Sequence, residues 1–141
     1  MMAVILRRVL RLVVGGAFIA AGSMKIAAPA AFVISIDNFR LLPHAGLHPL
    51  AITLPWIEVL AGLLLVAGFW KRPSALVCVC LMTVFTGAVV QAMARGLNID
   101  CGCYGTVGAQ RVGWMKLAEN LCLLTAAVWL AWHYRFEDQK T

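Results

Sequence analysis

The sequence predicts an all-α integral membrane protein, a bundle of four transmembrane helices with a short interfacial helix after the first. Three observations predict it. Of the 141 residues, 62% are hydrophobic and 13% are charged, against about 45–50% apolar and about 25% charged in an ordinary soluble domain. Four apolar runs, residues 9–28, 50–70, 74–94 and 114–132, each match the span of about 20 residues that crosses a bilayer. The twelve Lys and Arg stand near the ends of these runs instead of forming one stripe, a pattern that reports membrane orientation and argues against nucleic-acid binding.

The first run, about Val9 to Ala28, is interrupted only near its ends, by Arg11 and Lys25, whose side chains are expected to snorkel toward the head groups. Arg7-Arg8 ahead of it resembles the start of a signal peptide, but the length of the run and the membrane segments that follow favour an uncleaved helix. Pro29 can open a helix, and Phe32, Ile36 and Phe39 then recur at helical spacing, with Ser35, Asp37, Asn38 and Arg40 between them. This is the interfacial helix; a plain connecting loop is the other reading. The second run, about Leu50 to Trp70, follows Pro49 and carries Glu58. Lys71, Arg72 and Pro73 then read as a tight turn, so the third run, about Ser74 to Ala94, returns antiparallel. A loop from Arg95-Gly96 to about Gly113 holds Cys101-Gly102-Cys103, and the fourth run, about Trp114 to Trp132, precedes a polar tail, His133 to Thr141. These segments make one domain, residues 1–141.

Orientation follows from the basic residues. Arg7, Arg8, Arg11, Lys71, Arg72, Arg135 and Lys140 fall on one side of the bundle, and Lys25, Arg40, Arg95, Arg111 and Lys116 on the other. The bias is modest, but Lys71-Arg72 lies in a short connection, where the positive-inside rule counts in full. Both termini are therefore expected in the cytoplasm of a bacterial-type plasma membrane. The cysteine loop is expected outside, where disulfides form and persist.

Cys101 and Cys103 are the candidate reactive residues. Gly102 between them and Gly105 after them let the two sulfurs turn toward each other. The ring that a disulfide closes there is small, and a strained disulfide is easily reduced. Thiol–disulfide redox chemistry is the leading reading, which makes the chain a candidate thiol–disulfide oxidoreductase. Two others stay open. Cys101 and Cys103 together with His44 and His48 make a set of four ligands for Cu(I) or Zn; alternatively the pair only pins a loop.

Lys25, Glu58, Gln91, Arg95, Lys116, Glu119 and Asn120 all fall in the outer half of the predicted bundle. An ionisable group in hydrocarbon costs on the order of 2.5–3.5 kcal/mol, so these residues are expected to face inward and converge beneath the cysteine loop. There Lys25, Arg95 or Lys116 would stabilise a cysteine thiolate, and Glu58 or Glu119 would balance the cations or move a proton. The plainer reading is a set of structural ion pairs. Cys78 and Cys80 stand two apart on a helix and so point to nearly opposite faces. With Cys122 they read as small buried hydrophobes, an electron relay across the membrane being the alternative. Trp56, Trp70, Trp114 and Trp132 suit an aromatic belt, and Gly15, Gly16, Ala20, Ala21 and Gly62 suit close helix packing.

Four segments carry a family resemblance: Ala21-Gly22-Ser23-Met24-Lys25-Ile26, Phe32 to Pro43 ending Arg40-Leu41-Leu42-Pro43, Leu54-Pro55-Trp56-Ile57-Glu58, and Asp100-Cys101-Gly102-Cys103-Tyr104-Gly105. Together they resemble the MauE branch of the DoxX-like membrane proteins, over about Arg11 to Trp132. Many DoxX-like proteins share a Lys in the first helix and a Glu in the second; the Cys-Gly-Cys loop after the third helix is far more specific. The family usually has Phe where Tyr104 stands. The resemblance implies a role in methylamine utilisation, where MauE-type proteins are needed to mature the disulfide-rich small subunit of periplasmic methylamine dehydrogenase together with a thioredoxin-like partner, MauD. A quinone is the one cofactor that the redox reading leaves open. Two rival functions are a non-enzymatic accessory subunit of a respiratory or oxidase complex and a Cys/His metal-binding membrane protein. No Ser/His/Asp arrangement, phosphate loop or dinucleotide fingerprint supports another enzyme class.

Overall fold

The structure is a computed structural model that describes residues 1–99 and 111–138. Its regular elements among these residues are helices: α1, Met2–Ala27; α2, Pro29–Asn38; α3, His44–Ala67; α4, Lys71–Ala94; and α5, Trp114–Asp138. The all-helical expectation holds. α3 and α4, each 24 residues, are long and apolar enough to cross a membrane. They also turn large apolar side chains outward, with Trp56 60%, Leu60 59% and Val84 66% exposed. Water disfavours such a surface, whereas hydrocarbon suits it, since each helix satisfies its own backbone hydrogen bonds.

α1 packs chiefly on α3, and α5 on α4; contacts of α3 with α4 and of α1 with α5 close the ring, and α2 lies against α3 and α1. The shared core holds Val14 and Phe18 of α1, Leu65 of α3, Cys78 of α4, and Leu130 and Tyr134 of α5. Glycines set the α1–α3 distance. A Cβ on Gly62 would lie 2.7 Å from the Gly15 carbonyl oxygen, and one on Gly22 would lie 2.8 Å from the Pro55 carbonyl oxygen. The two backbones therefore touch, which is how small residues hold helices together where lipid supplies no hydrophobic drive.

Several helix ends depart from expectation. α1 starts at Met2, not near Val9, because Met2 to Arg8 contains good helix formers and no breaker. α3 starts at His44, ahead of the expected Leu50, and takes Pro49 and Pro55 inside it. Each proline removes one helical hydrogen bond, a loss that a packed bundle tolerates. The link between α3 and α4 is Gly68-Phe69-Trp70, not Lys71-Arg72-Pro73, which form the first turn of α4. Pro73 is acceptable there because the first turn of a helix has no carbonyl partners for its N–H groups. Gly68 closes α3 in the left-handed region, φ 82°, its N–H donating to the Leu64 and Leu65 carbonyls, a cap that glycine adopts without strain. The expected polar tail also stays helical as far as Asp138. Within it Tyr134 is buried in the core and His133 stacks on Trp129, ring centroids 4.0 Å apart. α2 begins at Pro29 as the sequence predicts, with Phe32 buried beneath it.

Candidate functional site

The polar residues of the apolar helices meet at one place. Lys25, in the last turn of α1, is 1% exposed, and Glu58, in the middle of α3, is 1% exposed. The Lys25 ammonium donates to both carboxylate oxygens of Glu58, at 2.6 Å to Oε1 and 2.9 Å to Oε2. The same nitrogen lies 5.0 Å from the ring centre of Phe32 on α2 and 4.7 Å from that of Phe85 on α4, near enough for cation–π attraction. From α5 come Lys116, buried and 3.0 Å from Glu119 Oε2, and Asn120, buried one turn later. All five helices thus contribute to one ionic centre.

Lys25, Glu58, Lys116 and Asn120 line a cavity of about 20 Å³, room for about one water molecule. The Asn120 side-chain nitrogen is buried there without a hydrogen-bond partner among the described residues. An orphan donor beside two ammonium groups makes the cavity a place for a small acceptor. Next to it a larger cavity of about 150 Å³ runs between α2, α3 and α4; apart from Lys25 and Ser35 its lining is apolar, with Phe32, Phe39 and Phe85 among its walls. A cavity of about that size holds one six-membered ring. Its chemistry fits an apolar ring with an acceptor directed at Lys25, the kind of group that the open quinone reading requires.

The expected site residues divide. Lys25, Glu58, Lys116 and Asn120 come together, and Lys25 does not snorkel: pairing with Glu58 removes the penalty that snorkelling would avoid. Glu119 pairs with Lys116 but stays 37% exposed at its side chain. Gln91 and Arg95 are exposed and lie off the cluster; Gln91 stands two residues from buried Val89 and so on another face of α4. Cys101 and Cys103 lie outside the described residues. The feet of their loop are described, and the Val112 N–H donates to the Ile99 carbonyl at 2.9 Å, joining the end of α4 to the start of α5 at the end of the bundle that holds Lys116. His44 and His48 are exposed on the first turns of α3, with His44 Nδ1 3.6 Å from Asp37 Oδ1. Cys78 and Cys80 do face different ways, Cys78 buried and Cys80 exposed, whereas Cys122 is exposed and not the buried hydrophobe expected. Phe85 was invisible as a site residue, since nothing distinguishes it within an apolar run.

A buried ion pair shared by closely packed apolar helices defines a class: a small helical membrane protein with an ionic centre toward one end. The chain belongs to the MauE family, whose profile, described as methylamine utilisation protein MauE, matches residues 3–133. It is similar to the methylamine utilization protein MauE of Methylorubrum extorquens, 35% identical over 98 residues, 69% of this chain and 53% of that one. The MauE of Paracoccus denitrificans is 32% identical over 123 residues, 86% of this chain and 66% of that protein. That of Methylophilus methylotrophus is 28% identical over 114 residues, 79% and 60% of the two chains. The chain thus spans between about half and two thirds of these curated relatives. No solved structure matches it.

Proposed function

We propose that this chain is a membrane maturation factor of methylamine utilisation, in which Cys101 and Cys103 exchange thiols and disulfides with proteins outside the cytoplasm. The observation that carries this reading is the Lys25–Glu58 pair, with Lys116 and Asn120 beside it, at the end of the bundle from which the cysteine loop leaves. Lys25 and Lys116 bring two cations to that end, each paired with a carboxylate, and a cation close to a cysteine favours its thiolate over the thiol. Family membership supports the same reading.

In each exchange a thiolate attacks a disulfide sulfur, forming a mixed disulfide, and a second thiolate then releases the first. One disulfide breaks for each one formed, and two electrons and two protons pass between the Cys101/Cys103 pair and its partner. The partners are a thioredoxin-like protein, of the MauD kind, and a disulfide-rich client, by resemblance the small subunit of methylamine dehydrogenase. The bundle has four membrane crossings, α1, α3, α4 and α5, as one domain, with α2 at the outer interface and both ends of the chain in the cytoplasm. Lys25 and Lys116 bias the thiol, while Glu58 and Glu119 hold the cations in place; Arg95, exposed at the end of α4, is available to the loop alone.

Replacing Cys101 and Cys103 one at a time by serine tests this. One of the two variants is expected to accumulate a mixed disulfide with a thioredoxin-like protein or client, visible as a shifted band on non-reducing gels. If neither variant does so and client disulfides form normally, the accessory-subunit reading replaces the redox one.

A further inference from the structure

The larger cavity, between α2, α3 and α4, has the makings of a ligand site, and we infer that it takes the head ring of a lipid-soluble quinone, one carbonyl oxygen of the ring lying against the Lys25 ammonium. Its volume of about 150 Å³ holds one six-membered ring. Lys25 is the charged group in its wall, and an ammonium carries three N–H donors. At most two of them serve the Glu58 carboxylate, and the described residues supply no acceptor for the third. Ser35 spends its own O–H on the Ala31 carbonyl, which leaves Lys25 as the donor that the cavity offers.

That donor is fixed in position. The pair with Glu58 holds the ammonium 5.0 Å from the centre of the Phe32 ring and 4.7 Å from that of Phe85, so it sits where two aromatic walls of the cavity converge. Phe39 is a third such wall. Aromatic side chains pack well against a flat ring, offset-stacked or edge-on, and a hydrogen bond from a charged donor is stronger than a neutral one.

The surroundings select a lipid-soluble occupant. Leu41, Leu42 and Val84 line the cavity and are exposed as well, Val84 at 66%, and Val84 belongs to α4, which is long and apolar enough to cross a membrane. The mouth therefore opens on an apolar surface, through which an isoprenoid tail can leave while the ring stays inside. A water-soluble ligand gains nothing at such a mouth, and a hydrocarbon chain brings no acceptor to Lys25; a quinone brings both the ring and the oxygen. The site needs neither Cys101 nor Cys103, so it stands apart from the thiol reading.

In the test, purified protein in detergent micelles is incubated with decylubiquinone or with decylbenzene, which has a ring and the same chain but no oxygen, and the bound compound is measured after gel filtration. Decylubiquinone is expected to be retained at about one molecule per chain, and over decylbenzene by roughly tenfold. Ala88→Phe, which fills the cavity from its α4 wall, is expected to remove most of that retention. Val90→Phe, the same ring on an exposed face of α4, is expected to leave it intact, as is Cys101→Ser/Cys103→Ser. Thermal unfolding shows which variants are folded. A photoreactive azidoquinone on the unaltered protein is expected to label α2 or residues 84–89, a result that does not depend on any variant folding. Equal retention of the two compounds at whatever level, retention that survives in folded Ala88→Phe, or labelling confined to other segments would each overturn the proposal.

Discussion

Replacing Lys25 by methionine is expected to destabilise the folded protein by about 3–5 kcal/mol, because it leaves the Glu58 carboxylate buried without its counter-charge. No other described group donates to Glu58 in place of Lys25, and at 1% exposure the carboxylate lies out of bulk solvent. The double variant Lys25→Met/Glu58→Leu is expected to regain most of that loss, since two apolar side chains of similar volume need no desolvation and often match a buried ion pair in stability. Thermal unfolding in detergent reads both. A double variant as unstable as the single one would show that the pair is not an isolated exchangeable unit.

The second large effect is at the α1–α3 contact. Gly62→Ala puts a methyl group 2.7 Å from the Gly15 carbonyl oxygen and 2.9 Å from Ile19 Cγ1. Backbone cannot yield as a flexible side chain does, so the helices must separate, at an expected cost of about 1–3 kcal/mol. The same chemical change at Gly16 meets nothing within 4 Å and is expected to gain up to about 1 kcal/mol from helix propensity. Opposite signs for one substitution at two nearby glycines, read in a single unfolding assay, would locate the helix contact. Destabilisation at Gly16 equal to that at Gly62 would remove it. The spacing of α1 from α3 also sets whether Lys25 reaches Glu58, so Gly62→Ala should weaken the ionic centre as well as the fold.

Much of this architecture was legible in the residues, and the remainder was not for identifiable reasons. Pro29 followed by Phe32 and Ile36 marked α2 because a proline at the first helical position is a local signal. The membership of Lys25, Glu58, Lys116 and Asn120 in one cluster was legible because polar groups in apolar helices have few places to go. Whether Lys25 snorkelled or paired was not legible, since that depends on the register of α1 against α3. The register is set by contacts of Gly15, Gly22 and Gly62 with backbone oxygens, and Gly22 stood out only as part of a family segment. Helix ends are not marked where polarity and helix coincide: Lys71-Arg72 and the segment after Trp132 are polar and helical at once, and proline near a helix start does not forbid the preceding turn. Gln91 and Arg95 shared the depth of the cluster, but depth alone does not fix the face.

The central claim, that the Cys101/Cys103 pair faces the outer compartment above the Lys25–Glu58 centre, is tested most directly by thiol labelling. In a variant with Cys78, Cys80 and Cys122 replaced by alanine, whole cells are reduced gently and treated with a membrane-impermeant maleimide. The account predicts that both remaining sulfurs are modified from outside. Modification only after the cells are permeabilised would contradict it.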